Sequence, residues 1–366
     1  MLRVFYHCPF KICTLAKMKR TTMNPFFLLS IASVMMLTAL PLSAKQASTQ
    51  LVRNLDAGKQ QTLVTFGTSL TAVGAWVDQI ATVLNQQYPG QCTVINGAQG
   101  GANSDWGVKS LDEKVLKHKP DTVLIEFAVN DAVSKRNTSV EHARNNLNQI
   151  IDRILAQNPQ CEIILQVMNV PVAHTRTGRT KLDAFNQMYR DVAKERDYQL
   201  IDHWPNWEKL LNEDPLRFHT YNPDTIHPVR DGALNVITPH LIKELGLATT
   251  GHPEKSTDTP CWNYLLHVAR QDKKNPDTTR ADYDTYWEKS FNMSDLNKDG
   301  SVDADEMQAD SLLKALDTDQ NGTVSLGEWL IVQGPQFKAF DQDNNGSIDK
   351  KEKTQLAGRA AVPVRE

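Results

Sequence analysis

Thr62-Leu63-Val64-Thr65-Phe66-Gly67-Thr68-Ser69-Leu70-Thr71 decides the fold of this chain. Thr62–Phe66 is a run without polar alternation, the pattern of a strand covered on both faces. Gly67 interrupts it, and a helical pattern over Val73–Gln87 follows at once. Working outward, further strands are predicted at Thr93–Ile95, Thr122–Phe127, Glu162–Met168 and Gln199–Asp202. Helices are predicted at Val140–Gln157, Lys181–Lys194 and Gly232–Leu245. Strand and helix in alternation mean a parallel sheet with crossovers, whose site lies at the C-terminal ends of the strands.

Three short segments fall at those ends, and a fourth lies further along the chain, before the last predicted helix. Ser69 sits on the strand-to-helix turn, where its own N–H near a helix N-terminus suits a developing oxyanion. Alone, a serine there is more often an N-cap. Asn96-Gly97-Ala98-Gln99-Gly100-Gly101-Ala102-Asn103-Ser104 follows the second strand, and its glycines let backbone N–H groups approach a substrate. Glu126-Phe127-Ala128-Val129-Asn130-Asp131 ends the third strand and turns the Asn130 amide toward the same cleft. Asp224-Thr225-Ile226-His227 supplies a base and a carboxylate to orient it, three residues apart on one turn. Asp202-His203 is a competing pair, but Trp204 and Trp207 beside it mark it as packing.

Together these segments resemble the four blocks of the SGNH hydrolases, over about residues 60–245. Gly67-Thr68-Ser69-Leu70 is similar to the Gly-Asp-Ser-Leu block, with Thr68 in place of Asp. Asn96 to Gly101 is similar to the second block, and the spacing favours Gly101 over Gly100 as the oxyanion glycine. Ala128-Val129-Asn130-Asp131 is similar to Gly-x-Asn-Asp, with Ala128 in place of Gly, and Asp224 to His227 matches Asp-x-x-His without change. The resemblance implies an α/β, flavodoxin-like sheet of five parallel strands. It implies a catalytic set of Ser69, Gly101, Asn130, Asp224 and His227 that hydrolyses carboxylic esters without a cofactor. Acyl or acetyl groups on carbohydrate are the expected substrates. A lipase- or thioesterase-like acylhydrolase, or a calcium-dependent docking protein with an idle hydrolase fold, are the alternatives.

Beyond this unit a short repeat begins. Three twelve-residue segments fit the EF-hand calcium loop. The first supplies Asp295, Asn297, Asp299, Ser301, Asp303 and Glu306. The second supplies Asp317, Asp319, Asn321, Thr323, Ser325 and Glu328. The third supplies Asp341, Asp343, Asn345, Ser347, Asp349 and Glu352. Glycine stands at position six of each loop and Val302, Val324 or Ile348 at position eight. A small all-α domain that binds Ca2+ structurally is therefore expected. The offsets between loop starts, 317 − 295 = 22 and 341 − 317 = 24, leave room for one helix between loops. Shared helices would then pair the first loop with the third, through Val302 and Ile348, with a bend near Asp310-Ser311 that splits the first shared helix as the alternative.

Lys17, Lys19 and Arg20, the apolar run Phe26–Leu40 and the small-residue site Leu42-Ser43-Ala44 have the layout of a secretory signal peptide, with an uncleaved anchor as the alternative. The expected organisation is a signal at 1–44, a hydrolase domain at 58–248, a linker at 249–280, an EF-hand domain at 281–356 and a tail at 357–366. A secreted or periplasmic location follows, with no membrane span left after cleavage. A net charge of −3 gives no signal for nucleic acid. Cys8 and Cys13 fall in the removed segment. Cys92 and Cys161 read as buried thiols at strand starts, and Cys261 in the linker has no assignment.

Overall fold

The computed structural model describes residues 48–248, 277–349 and 351–352. The expected signal, most of the linker with Cys261, and the tail lie outside the described residues. The opening run forms strand β1, Gln61–Gly67, and is followed by β2 (Cys92–Asn96), β3 (Thr122–Glu126), β4 (Glu162–Val167) and β5 (Gln199–Asp202). Every pairing is parallel, in the order β2-β1-β3-β4-β5. This is the flavodoxin-like arrangement that the family resemblance implies.

β1 lies near the middle, between β2 and β3, which explains its unbroken apolar run: Leu63, Val64 and Phe66 are fully buried. Two aromatic-aliphatic layers cover the sheet. One includes Phe66, Phe127, Leu147 and Tyr189, and the other Leu63, Trp76, Trp207 and Phe218. The registers Thr65↔Asn96 and Gly67↔Glu126 bring the ends of β1, β2 and β3 to one edge.

Two helical regions depart from expectation. Ser104–Lys114 is a helix that hydrophobic periodicity missed, started by the Asn103 side chain accepting from the Trp106 N–H at 3.2 Å. The predicted Gly232–Leu245 helix is divided into Arg230–Gly232, a π-helical turn at Ala233–Ile237, and Thr238–Leu245. Pro239 brings no N–H to the ladder, and the widened turn just ahead of it takes up the break.

The C-terminal region is helical, with EF-hand loops. Its first long helix, Arg280–Ser294, starts with a capping box between Thr279 and Asp282. The pairing expected for the loops is overturned. β7 (Ser301–Val302) pairs antiparallel with β8 (Val324–Ser325), matching Val302 to Val324. The third loop's β9 (Ser347–Ile348) pairs instead with β6 (Thr278–Thr279), matching Ile348 to Thr278. Shared helices would have forbidden this, but each is broken. Gln308 adopts φ +54 between the Ala304–Met307 and Asp310–Leu316 helices. Leu330 to Val332 separates Leu326–Trp329 from Gln333–Phe340.

The described residues of the two regions belong to one compact unit. The Pro215–Tyr221 helix packs on Asp310–Leu316, and Ala173–Thr177 packs on both Arg280–Ser294 and Ala304–Met307. His219 fills the seam, its ring edge-on to Trp287 and Trp329 at 5.0 and 4.8 Å.

Candidate active site

The turn after β1 is built on a buried carboxylate. Glu126, at the end of β3, accepts from the Thr68 N–H at 2.6 Å, from Thr68 Oγ1 at 2.9 Å and from Thr71 Oγ1 at 2.7 Å. A Cβ on Gly67 would sit 2.3 Å from Glu126 Oε1, so only glycine fits there. Burial pushes the Glu126 carboxyl up to about 7, against these hydrogen bonds. An aspartate at position 68 would add a second carboxylate to this pocket, which gives a physical reason for Thr68. Thr68 also caps the Ser69–Ala72 helix by accepting from the Leu70 N–H at 3.2 Å. Ser69 is thus the first helical residue, and its N–H has no intrahelical partner.

Asn96 ties the next loop to the same helix, donating to the carbonyls of Thr71 and Ala72 at 3.1 and 3.3 Å. Gly101 takes φ +75, a left-handed conformation that glycine adopts without strain, and its carbonyl accepts from Arg136 Nη2 at 2.7 Å. Asn130 lies on the short Ala128–Asp131 helix and donates through Nδ2 to the Ala102 carbonyl at 2.8 Å. Arg179 Nη2 stands 3.5 Å from Asn130 Oδ1. Asp131 accepts from the Ser104 N–H at 2.9 Å, and burial pushes its carboxyl up to about 6.

The fourth segment closes the site. Asp224 Oδ1 accepts from the N–H groups of Ile226 and His227 at 3.3 and 2.7 Å. Its Oδ2 lies 2.7 Å from His227 Nδ1, and His227 Nε2 lies 2.8 Å from Ser69 Oγ. Burial works against the ionised Asp224, but the charge of His227 and the hydrogen bonds outweigh it and hold the carboxyl below its ordinary value. Serine, imidazole and carboxylate therefore stand in hydrogen-bonded series. Between them Thr225 has φ +70, a costly conformation for a β-branched residue. It is held by the Val172 N–H donating to its carbonyl at 3.1 Å and by Thr175 Oγ1 at 2.6 Å from its own hydroxyl.

The competing pair is elsewhere. Asp202 bonds to Arg190 Nε at 2.8 Å. His203 is fully buried edge-on to His240 at 5.0 Å, and burial pushes its imidazole down to about 3. Sequence reasoning gave no role to Glu126, Arg136 or Arg179. A carboxylate closing a fully buried strand was the one available signal, and the arginines carried none.

The loops of the C-terminal region fit a calcium ion by their donor sets. Carboxylate oxygens of Asp317, Asp319 and Glu328 lie within 4.8 Å of one another, as do those of Asp341, Asp343 and Glu352. Anions gathered so closely repel unless a cation joins them, and hard oxygen donors in this number suit Ca2+. In the first loop Asn297 replaces one carboxylate, yet Glu306 still turns inward, accepting from the N–H groups of Leu296 and Asn297 at 2.6 and 2.9 Å. Gly300, Gly322 and Gly346 take φ +89, +92 and +82 at position six, the sharp turn of each loop.

Residues 64–233 match the family described as GDSL-like Lipase/Acylhydrolase, and residues 288–309, 309–332 and 334–352 match EF hand. The chain is 28% identical over 181 residues to the thioesterase 1/protease 1/lysophospholipase L1 of Escherichia coli strain K12, across 48% of this chain and 79% of that protein. It is 28% identical over 109 residues to an arylesterase of Vibrio mimicus, across 30% of this chain and 51% of that protein. An acetylxylan esterase from Geobacillus stearothermophilus superposes with a TM-score of 0.44 at 18% identity, across 52% of this chain and 98% of that one.

Proposed function

We propose, from a chain whose residues 64–233 belong to the GDSL-like lipase/acylhydrolase family of esterases and whose residues 288–352 carry EF-hands, that it is a secreted serine hydrolase removing acyl or acetyl groups from carbohydrate. The continuous line Asp224–His227–Ser69, at 2.7 and 2.8 Å, carries the reading. His227 Nε2 takes the proton of Ser69 Oγ as the oxygen attacks the ester carbonyl. The N–H groups of Ser69 and Gly101 and the Asn130 amide hold the oxyanion. His227 then protonates the departing alcohol, and the acyl group stays on Ser69. Water attacks the acyl-enzyme, gives its proton to His227, and the acid leaves as Ser69 recovers its hydrogen.

Calcium, bound in the EF-hand loops, would neutralise their converged carboxylates and brace the helices around them, and it serves no step of ester chemistry. The carbohydrate reading draws support from the cleft beside His227. There Ile226, Tyr286 and Met293 offer carbon surface next to the polar groups of Thr175, Arg179 and Lys289. That mixture suits a polyol with both C–H faces and hydroxyls. Acyl thioesters and lysophospholipids are the second reading, prompted by the name of the Escherichia coli relative. Secretion rests on the N-terminal pattern ending at Ala44, and mass spectrometry of the exported protein checks the cleavage point.

Purified protein on acetylated xylan, p-nitrophenyl acetate and palmitoyl-coenzyme A separates the readings. The acetyl esters should be turned over fastest. Preference for the long-chain thioester would replace the carbohydrate reading with the second one. A chain that hydrolyses none of the three would leave calcium-dependent docking as the function.

A further inference from the structure

The helix that leads into the first calcium loop, Arg280–Ser294, borders the ester site. A cleft of about 340 Å³ opens beside the catalytic turn. His174, Arg179 and Ile226 line it from the hydrolase side, and Tyr286, Lys289 and Met293 from the EF-hand side. Hydrogen bonds pin that helix to the turn. Ser290 Oγ donates to the carbonyl of Pro223, just before Asp224, at 2.8 Å. Ser294 Oγ lies 3.1 Å from His174 Nδ1, and the same nitrogen is 3.4 Å from Thr225 Oγ1, inside the catalytic turn. Tyr283, two turns earlier on the same helix, bonds to Gln336 and ties the start of the helix to the rest of the EF-hand unit.

Chemistry decides which part of an ester enters this cleft. The departing alcohol takes its proton from His227 Nε2, so it must leave on the imidazole side. Ser69, Gly101 and Asn130, which supply the oxyanion donors, do not line the cleft, whereas Asp224, Ile226 and His227 on the base side do. We infer that the first EF-hand helix forms the specificity wall of the leaving-group subsite, with Met293, Tyr286 and Lys289 selecting the alcohol and Ser290 positioning the Asp224–His227 turn. This rests on the ester-hydrolase reading above and deepens it. The calcium module thereby completes the substrate site and is more than an appendage to it. Met293 is 48% exposed, so its side chain can change size without disturbing the core.

The test uses the full-length, calcium-saturated protein on two substrate series. One varies the alcohol at constant acyl group: methyl, phenyl and 2-naphthyl acetate. The other varies the acyl group at constant alcohol: p-nitrophenyl acetate, butyrate and octanoate. Met293→Trp should lower kcat/KM on 2-naphthyl acetate about tenfold more than on methyl acetate, the scale on which one filled subsite discriminates. The acyl-series ratios should hold. Ser290→Ala should lower kcat severalfold at constant KM, and Ser290→Thr, which keeps the hydroxyl, should restore it. Equal effects of Met293→Trp on all three acetates, or a shift in the acyl series instead, overturn the assignment. A wild-type chain that turns over the synthetic acetates but not acetylated xylan removes the carbohydrate reading alone, and the alcohol series still decides the wall. A wild-type chain active on no ester overturns both.

Discussion

Ser290 Oγ donates to the carbonyl of Pro223 at 2.8 Å, so a side chain of the EF-hand unit holds the residue before Asp224. Ser294, at the other end of this contact face, directly precedes Asp295, the first residue of a calcium loop. A ligand that binds only the folded loops stabilises them by mass action, and removing it releases the end of the Arg280–Ser294 helix. Sequence alone suggests that ester hydrolysis survives chelation, since no catalytic residue lies beyond His227. The contacts through Ser290 and Ser294 reverse that expectation. Excess chelator should lower the melting temperature and also slow both p-nitrophenyl acetate hydrolysis and fluorophosphonate labelling of Ser69, with recovery on adding calcium. Unchanged labelling in metal-free protein whose melting temperature has dropped would show that the catalytic turn stands without the module.

Ser69→Ala should abolish ester hydrolysis and fluorophosphonate labelling. Ser69 is only partly buried, and its hydroxyl bonds to His227 at 2.8 Å, so the fold should lose little stability. Thermal unfolding of the variant checks the second half. Turnover within a few-fold of wild type would remove Ser69 from the mechanism.

Glu126 links the pH dependence of stability to the turn that carries Ser69. Its folded carboxyl is raised to about 7 by burial, against an ordinary glutamate near 4.5. The folded state therefore binds this proton more tightly than the unfolded chain. The resulting stability is complete below about 4.5 and is lost as pH rises through 7, a swing of about 3 kcal/mol. Glu126→Gln lacks that swing. Its unfolding free energy, relative to wild type, should improve steadily from pH 5 to pH 8 in urea titrations. A difference that does not move with pH would mean that Glu126 stays ionised in the fold.

These contacts mark the boundary of what a sequence discloses. The segments around Ser69, Gly101 and Asn130 were legible because each follows the end of a strand, where the parallel sheet must gather them, and the segment around His227 because a carboxylate stands three residues ahead of the imidazole. The calcium loops were legible because their oxygens follow one another along a short stretch of chain. Glu126 was not, since its meaning comes from Thr68 and Thr71, more than fifty residues away. The Val302–Val324 pairing turns on Gln308 entering a left-handed conformation, just ahead of Asp310-Ser311, where the sequence offers a bend only as an alternative. Thr278–Thr279 carries no motif, yet it supplies the strand that partners the third loop. The wall of the cleft was equally hidden, because Tyr286 and Met293 read as ordinary positions of a helix in another unit.

His219 gives the seam between the two regions its own pH response. Its Nε2 lies 3.1 Å from the Trp329 carbonyl, and the rings of Trp287 and Trp329 enclose it edge-on. Burial pushes the imidazole down to about 4, although the bond to Trp329 acts in the opposite direction. An unfolded histidine titrates near 6.5, so the fold favours the neutral ring. Above that pH both states are neutral and the packing contributes fully. As pH falls from 6.5 toward 4, the unfolded chain takes up a proton that the folded chain refuses, and about 3 kcal/mol of stability is lost. His174 and His203, also shifted down by burial, respond in the same direction, so a comparison with a variant is needed to isolate His219. His219→Phe keeps an aromatic ring between the tryptophans and removes the titration. Measured in urea at saturating calcium, the advantage of wild type over this variant should shrink by about 3 kcal/mol between pH 7 and pH 4, because the other histidines are common to both proteins. An advantage that stays constant across that range would show that His219 accepts its proton inside the fold and that the seam opens to water.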